Sequence, residues 1–284
     1  MPLILDGKAL ATSIRGDLHE LVTEHNLHPC LAIVTVGDDP ASAVYVRNKK
    51  KACDEIGIVC RHECLPANTT ESNLIKLIKE LNRNDFIHGI IVQLPLPKHI
   101  NPNAVTDAIW RSKDVDGFGQ NSLFHPCTPE GIIRLLDHYL IPIESRNVVI
   151  VGRSNIVGRP LARMMLDRNA NVTVLHSKTT DTDRHTYLRN ADIIVSAVGS
   201  PMIIVPTDVS SQTVIVDVGI NRDQNGKLCG DAHPSTYDVS LAYTPVPGGV
   251  GPMTVAMLME HVVQSAIWQQ EQTKEVFHRE YAPM

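Results

Sequence analysis

A lysine and a tyrosine one helical turn apart are the first side chains of this sequence that could do chemistry. They lie in the segment ASAVYVRNKKKACDEI, where helical spacing puts Tyr45 and Lys49 on one stripe with small and apolar residues. Lys50 and Lys51 turn away from it by about 100° and 200°. A partly desolvated Lys49 could exchange a proton with a substrate or polarise it, and Tyr45 offers a ring for stacking. The alternative is a lysine whose alkyl chain covers a core tyrosine.

A glutamine and an aspartate form the second candidate group. The apolar run of GIIVQLPLP ends at Gln93, and Pro95 cannot continue a central strand. Ligands of open α/β sheets bind beyond the carboxyl ends of strands, so Gln93 is a candidate to hydrogen-bond a substrate or Lys49. Asp116, in the segment DVDG, could accept paired N–H donors from a heterocycle. A solvent-facing glutamine and an ordinary Asp-Gly turn are the alternatives.

The segment VVIVGRSNIVGRP is typical of a strand, a glycine-bearing turn and a helix that together bind a dinucleotide pyrophosphate. Its glycines, Gly152 and Gly158, meet the usual G-x-G-x-x-G fingerprint only in part. The next strand runs into His176, Ser177 and Lys178, where an NAD enzyme would carry an acidic residue for the ribose. With Arg153 in the first loop, this favours NADP, and a surface loop without a nucleotide is the alternative.

A stiff loop rich in glycine and proline, TPVPGGVGPMT, leads into the last long helical pattern. Gly248, Gly249 and Gly251 are expected to let backbone amides face a ligand, and Pro252 suits the start of the helix. Cys60, His62 and Cys64 alternate along a predicted strand, which raises the possibility of zinc, but no fourth ligand has suitable spacing. We therefore predict no metal.

These candidates have to be positioned by alternating strands and helices, which predict βαβ units and mainly parallel sheets. One series begins at Leu31 and a second at Asn147, and the joint falls between Asp116-Gly117 and a helix opened by Thr128-Pro129. A length of 284 residues suits two domains. The fold class predicted is α/β with two domains.

Composition narrows the class of partner. The net charge is −5, which disfavours nucleic acid, and no window approaches the ~18 apolar residues of a membrane span. The six cysteines contain no CxxC pair, so reduced thiols and a cytoplasmic location are expected.

Taken in order, these segments resemble the bifunctional methylenetetrahydrofolate dehydrogenase/cyclohydrolase family. The similarity runs from ILDGKALA through GDDPASAVYVRNKKKAC, GIIVQLPLP, KDVDGF, PCTPEGI, the glycine loop, HSKT and DVGIN to TPVPGGVGPMTVAML. It covers nearly the whole chain. The resemblance implies NADP-dependent oxidation of methylenetetrahydrofolate to the methenyl form and hydrolysis of that cation to 10-formyltetrahydrofolate.

The resemblance also implies roles for individual residues. Lys49 is the central catalytic group, Tyr45 stacks on the folate, Gln93 hydrogen-bonds Lys49 and Asp116 holds the pterin. The remaining residues implied are Pro247, Gly248 and Gly249 for substrate, and Gly152, Arg153, Ser154, Ser177 and Ile220 for NADP.

We accordingly expect a folate-binding catalytic domain over 1–120 and a Rossmann-like NADP-binding domain over 121–284. The resemblance implies that the last helix, about 252–270, packs back on the first domain, and that the protein is a homodimer without a metal. Two alternatives remain: an NADP-linked dehydrogenase of another small substrate, and a non-catalytic NADP-sensing protein. The first predicts no requirement for the set of Tyr45, Lys49, Gln93 and Asp116, all of which are present.

Overall fold

The computed structural model describes residues 1–281, and their side chains except those of residues 41 and 273–281. Helices and strands alternate along most of this length, as the sequence predicts. In chain order they are β1 (Leu3–Ile4), α1 (Gly7–Glu24), β2 (Cys30–Val36), α2 (Pro40–Ile56), β3 (Val59–Leu65), α3 (Glu71–Asn82), β4 (Gly89–Val92), α4 (Pro102–Thr106), α5 (Cys127–His138), β5 (Asn147–Val151), α6 (Gly158–Asp167), β6 (Asn171–Leu175), α7 (Asp181–Arg189), β7 (Ile193–Ser196), a 3₁₀ helix (Pro206–Asp208), β8 (Val214–Asp217), β9 (Asn221–Arg222), β10 (Leu228–Cys229), α8 (Ser235–Val239), β11 (Ala242–Tyr243) and α9 (Val250–Tyr281).

The chain divides into two compact units. The three-stranded unit comprises Thr12–Cys127 and the chain from Val255 onward, and the six-stranded unit comprises Met1–Ala11 and Thr128–Thr254. Each contains its own parallel sheet, and the predicted α/β architecture is confirmed. No helix among the described residues has the length and apolar character that crossing a membrane requires.

The sheet of the three-stranded unit has the order β3-β2-β4, with all neighbours parallel. Its core side chains come from β2 and β4 and pack against α3 through Leu74 and Ile78. Because the chain crosses from β2 to one neighbour and then to the other, ligands are expected at the carboxyl ends of β2 and β4. The α9 helix belongs to this unit from Val255 onward, and its His261 and Ser265 side chains bond the carbonyls of Val115 and His88.

The ends of α2 follow the local signals in the sequence. Asp39 caps the helix by accepting a hydrogen bond from the Ser42 amide at 2.8 Å, and Pro40 occupies its first turn. Gly57 ends it with a left-handed φ of 92°. Of the predicted apolar stripe, Ala52 and Ile56 are buried as expected, but Tyr45 is exposed, and Val46 and Cys53 complete the packed face.

The six-stranded sheet has the order β1-β11-β8-β7-β5-β6, and every pairing in it is parallel. Its core includes Val149, Leu175, Ile194 and Ile215. The strand order reverses at β5, where a doubly wound fold presents its ligand crevice.

The first residues of the chain lie in a different domain from the one predicted from the sequence. The Leu3 amide donates to the Leu241 carbonyl at 2.9 Å, and that of Leu5 donates to Tyr243 at 2.8 Å. Residues 3–4 therefore form the edge strand of the six-stranded sheet, whereas the sequence predicts them in the domain spanning 1–120. These bonds join residues more than two hundred positions apart, which local patterns do not reveal.

Candidate functional site

Lys49 and Gln93 meet beside the carboxyl end of β4. Gln93 directly follows this strand, and its Oε1 accepts a hydrogen bond from Lys49 Nζ at 3.2 Å. The amide Nε2 of Gln93 donates to the Leu94 carbonyl at 2.8 Å, which fixes the side chain with its oxygen toward the lysine. An ammonium has three donors, so this bond orients Lys49 and leaves it able to bind a substrate. Both side chains are partly buried.

Tyr45 precedes Lys49 by one turn of α2 and is 44% exposed. The alternative of a lysine covering a core tyrosine is therefore wrong. A large ring exposed beside an ammonium is suited to stacking on a flat ligand, because most of its apolar area is still in contact with water.

Asp116 lies in a turn whose backbone is fixed by buried side chains of α9 and α5. The carbonyl of the preceding Val115 accepts a bond from His261 Nδ1 at 2.8 Å and one from Cys127 Sγ at 3.3 Å. The His261 ring also stacks on Phe124, with centroids 4.7 Å apart. These buried contacts fix the backbone next to Asp116, whose carboxylate is only partly buried and can reach a ligand.

The neighbouring Asp114 has a different role, although both aspartates stand in the same DVDG segment. Asp114 is 1% exposed and accepts a hydrogen bond from the Gly119 amide at 2.8 Å. Burial raises the pKa of Asp114, and the Asp116 charge adds to this effect. Asp114 thus holds the loop that follows, while Asp116 stays partly exposed, with its Oδ1 3.9 Å from Cys127 Sγ.

In the six-stranded unit, the loop from β5 to α6 borders a cavity of about 530 Å³. Gly158 opens α6, and a Cβ at this position would overlap the Gly152 carbonyl oxygen. Ser154 Oγ accepts bonds from the amides of Val157 and Gly158, at 3.2 and 3.4 Å. Glycine is therefore required for the close turn that brings the start of the helix to the cavity. Predicted nucleotide residues on the cavity wall are Gly152, Arg153, Ser154 and Ser177.

The charge of this cavity suits a ligand rich in phosphate. No carboxylate stands at positions 176–178, directly after β6. Asp181, which also borders the cavity, lies 3.7 Å from Arg184 Nη2. Arg153 adds a second cation to the wall. Close backbone approach, a helix N-terminus and an excess of cationic side chains fit a dinucleotide that carries an extra phosphate.

The loop that precedes α9 differs in part from expectation. It borders a smaller cavity of about 140 Å³ together with the turn that contains Ile220, and it contributes Pro247, Gly248 and Gly249. The Gly249 amide was expected to face a ligand but donates to the Pro245 carbonyl at 2.7 Å, within the loop. The α9 helix begins at Val250 rather than Pro252. Ile220 is 52% exposed.

The strand that suggested zinc engages other groups. The two ring nitrogens of His62 lie 3.0 Å from Lys50 Nζ and 3.0 Å from Thr35 Oγ1. Burial, followed by the charge of Lys50, lowers the pKa of His62. Within the part of the chain that the structure describes, no three His, Cys, Asp or Glu side chains cluster as a metal site requires.

Comparison with known proteins also divides the chain in two, although residues 5–11 and 255–270 are assigned to the opposite part from the compact units described above. Residues 5–116 match the catalytic domain of tetrahydrofolate dehydrogenase/cyclohydrolase, and residues 126–270 match the NAD(P)-binding domain of the same enzymes. The chain belongs to the tetrahydrofolate dehydrogenase/cyclohydrolase family. The family predicted from the sequence motifs is thereby confirmed.

Three relatives show how closely this chain follows the tetrahydrofolate dehydrogenase/cyclohydrolase family. The bifunctional protein FolD of Agathobacter rectalis is 48% identical over 93% of this chain and 99% of its own. The crystal structure of FolD from Campylobacter jejuni is 44% identical, with a TM-score of 0.92 over 95% of this chain and 100% of its own. FolD of Trypanosoma brucei, solved with NADP and an inhibitor, is 32% identical, with a TM-score of 0.88 over 95% and 98%.

The predicted Rossmann-like nucleotide domain of this family member is confirmed. Within it, two buried carboxylates stand behind the loops that border the cavities, and the sequence motifs did not single them out. Asp217 is 1% exposed and Asp231 is fully buried. The available signal was an aspartate within two residues of a glycine in both GDA and DVG, a pattern equally typical of an ordinary turn.

Proposed function

We propose that this chain oxidises 5,10-methylenetetrahydrofolate to the methenyl form with NADP, and hydrolyses the methenyl form to 10-formyltetrahydrofolate. The observation that carries this proposal is the hydrogen-bonded pair of Lys49 and Gln93 beside an exposed Tyr45. This pair lies in the segment that matches the family's catalytic domain. Relatives that align with nearly the whole chain are named as bifunctional enzymes.

In the hydrolytic step, Lys49 is the group proposed to move a proton. Water adds to the cationic methenyl carbon, and neutral Lys49 Nζ accepts the proton that the water loses. The ring carbon–nitrogen bond of the resulting carbinolamine then breaks as its hydroxyl loses a proton and the departing nitrogen gains one, which leaves the formyl group on the other nitrogen and releases one proton overall. A permanently charged Lys49 would repel the methenyl cation. Because Gln93 Oε1 can accept a hydrogen bond from the ammonium and from the neutral amine, it holds Lys49 Nζ in place in both forms.

Tyr45 and Asp116 are proposed to orient the folate. The exposed ring of Tyr45 stacks on the substrate, and the Asp116 carboxylate accepts two N–H donors from the pterin ring. Holding the reacting carbon in one position accounts for much of the expected rate enhancement, because hydride transfer depends chiefly on geometry. Pro247, Gly248 and Gly249 are assigned to the substrate as well.

The six-stranded unit is proposed to hold NADP. Bound NADP supplies the hydride acceptor. The turn formed by Gly152, Arg153 and Ser154 at the start of α6 would bind the pyrophosphate, and Arg153 with Ser177 would bind the 2′-phosphate. The fit rests on the cavity of about 530 Å³ and its cationic wall. Ile220, on the turn beside the smaller cavity, completes the proposed cofactor residues.

We propose a cytoplasmic homodimer that associates through its nucleotide-binding domain. Residues 1–120 and 121–284 are proposed as the folate-binding and nucleotide-binding domains, apart from β1, which joins the six-stranded sheet, and α9, which belongs to the three-stranded unit from Val255 onward. Sedimentation of the purified protein at micromolar concentration tests the dimer, since a single species of about 31.3 kDa would contradict it.

The test of the proposed function is a spectrophotometric assay of purified protein with methylenetetrahydrofolate and NADP. NADPH and the methenyl intermediate are followed together, and hydrolysis of added methenyltetrahydrofolate is measured separately. Formation of NADPH with little accumulation of the intermediate, plus direct hydrolysis, is the expected result. Turnover of neither substrate with NADP or NAD would contradict the proposal and favour a binding protein.

A further inference from the structure

A buried carboxylate links two loops of the six-stranded unit that border the nucleotide cavities. We propose that Asp231 is a positioning residue for the nucleotide, because it ties the loop after β7 to the turn after β8 and so sets the shape of the cavity wall. The inference rests on the proposed function for the identity of the ligand as NADP. It does not require any part of the folate chemistry.

Asp231 is fully buried, yet its carboxylate has a full set of hydrogen-bond donors. Three of them are consecutive backbone amides of the loop after β7, an arrangement that favours a negative charge. The donors are Ser196 Oγ at 2.9 Å, Val198 N at 2.9 Å and Gly199 N at 3.3 Å to Oδ2, and Ser200 N at 3.0 Å and Asn221 Nδ2 at 2.9 Å to Oδ1.

The loop held by this carboxylate is part of the wall of the larger cavity. Val198 and Ser200 border the same space as Arg153 and Ser177, the residues proposed to bind phosphate. The backbone carbonyl of Asp231 also accepts a bond at 2.8 Å from Ile203, another residue of the wall. Removing the carboxylate would leave three adjacent amides without their acceptor, and the loop could not keep its position.

A second buried carboxylate anchors Asp231 itself. Asp217 accepts hydrogen bonds at 2.9 Å from the Asp231 amide and at 2.8 Å from the Ala232 amide. It also accepts one at 2.9 Å from the Gly219 amide, in the turn that carries Ile220. The two carboxylates therefore connect the walls of both cavities through one short segment.

Two glycines make room for this arrangement. A Cβ at Gly219 would overlap Asp231 Oδ1, and a Cβ at Gly230 would overlap Asp217 Oδ2. Each glycine thus lets the opposite carboxylate approach the backbone closely enough to accept its hydrogen bonds. The glycines of DVG and GDA therefore each have a structural reason, which is the close approach of a buried carboxylate.

The test is substitution of Asp231→Asn in the full-length enzyme. The neutral amide would present N–H donors to backbone N–H groups, so the loop is expected to shift. We expect the KM for NADP to rise by about tenfold or more, while kcat at saturating NADP falls by less than about threefold. The melting temperature and the circular dichroism spectrum report the folded fraction, and hydrolysis of added methenyltetrahydrofolate reports the integrity of the unit that contains Lys49.

Asp208→Asn is the matched control. Asp208 is a third buried carboxylate of the same unit, 2% exposed, and it accepts a bond from the Val205 amide at 3.0 Å. It also lies 2.9 Å from His185 Nδ1. None of these three residues borders either nucleotide cavity. The control is expected to lower the melting temperature and leave the KM for NADP unchanged. Equal effects of the two variants on this KM would overturn the inference.

A milder pair keeps the inference testable if Asp231→Asn does not fold. Ser196→Ala removes one donor to Asp231 and is expected to raise the dissociation constant for NADP by about threefold, measured by calorimetry. Ser240→Ala removes a buried hydroxyl that donates to the Tyr237 carbonyl, and it should leave the dissociation constant for NADP unchanged. Unchanged NADP binding in Ser196→Ala would overturn the positioning role alone. Absence of NADP binding in the wild type would overturn the proposed cofactor and this inference together.

Discussion

The two units hold their proposed ligands in different ways. In the three-stranded unit, the groups that would act on the substrate are side chains: Lys49, Gln93 and Tyr45 project from one helix and one strand end. In the six-stranded unit, much of the ligand wall is backbone, and Asp231 holds part of it from behind. Chemistry carried by side chains can be removed by one substitution without disturbing the fold. A wall made of backbone can be altered only through the groups that support it.

The largest effect expected is that of Lys49→Ala. Loss of the proposed proton acceptor should lower kcat for methenyltetrahydrofolate hydrolysis by roughly 10²–10⁴-fold, the usual contribution of a general base. The melting temperature should change little, because the side chain is only partly buried. Lys51→Ala is the matched control, since this neighbouring lysine is 79% exposed and pairs with Glu55. Full hydrolytic activity in Lys49→Ala would contradict the role of Lys49 as proton acceptor, and with it the contrast between a site of reacting side chains and a wall of backbone.

The second prediction concerns the phosphate. Arg153→Ala should raise the KM for NADP by about tenfold and that for NAD much less, because only NADP carries the 2′-phosphate. Steady-state kinetics with both nucleotides measure the difference. Arg163→Ala, an exposed arginine of α6 that pairs with Asp167, is the control. Equal weakening of both nucleotides would refute the phosphate role of Arg153.

The third prediction tests whether Gln93 orients Lys49 for the hydrolytic step. Gln93→Leu removes the acceptor that lies 3.2 Å from Lys49 Nζ and keeps a side chain of similar size. We expect kcat for hydrolysis to fall by about tenfold while the KM for methenyltetrahydrofolate changes less, since the bond orients Lys49. A purely structural glutamine would lower the melting temperature without lowering kcat, and that outcome would count against the role.

The smallest effect expected is on stability and concerns His88, which directly precedes β4, at the end opposite to Gln93. Burial, followed by the charge of Lys113, lowers the pKa of His88 below its usual value of about 6.5. The folded state therefore takes up the proton less readily than the unfolded state, and stability is lost as pH falls below about 6.5. His62 contributes with the same sign. Urea unfolding at several pH values should show this loss, and His88→Asn should reduce its slope. An unchanged slope would contradict the assignment.

The features that could be predicted from the sequence are those set by neighbouring residues. Asp39, Pro40 and Gly57 define the ends of α2 through local capping, and the end of the apolar run located Gln93. The exposure of Tyr45 could not be predicted, because a shift of one position moves a residue by about 100° around a helix. The pairing of β1 with β11 and the contacts of Asp231 depend on residues far apart in the chain.

The division of roles between the units is tested most directly by calorimetric titration of the Lys49→Ala variant with NADP. If Lys49, the proposed proton acceptor, and the nucleotide site are independent, the dissociation constant should stay within about twofold of the wild-type value. The same preparation should hydrolyse methenyltetrahydrofolate far more slowly than the wild type. If the variant lost both NADP binding and hydrolysis, Lys49 would belong to the nucleotide site, and the division of roles between the units would be wrong.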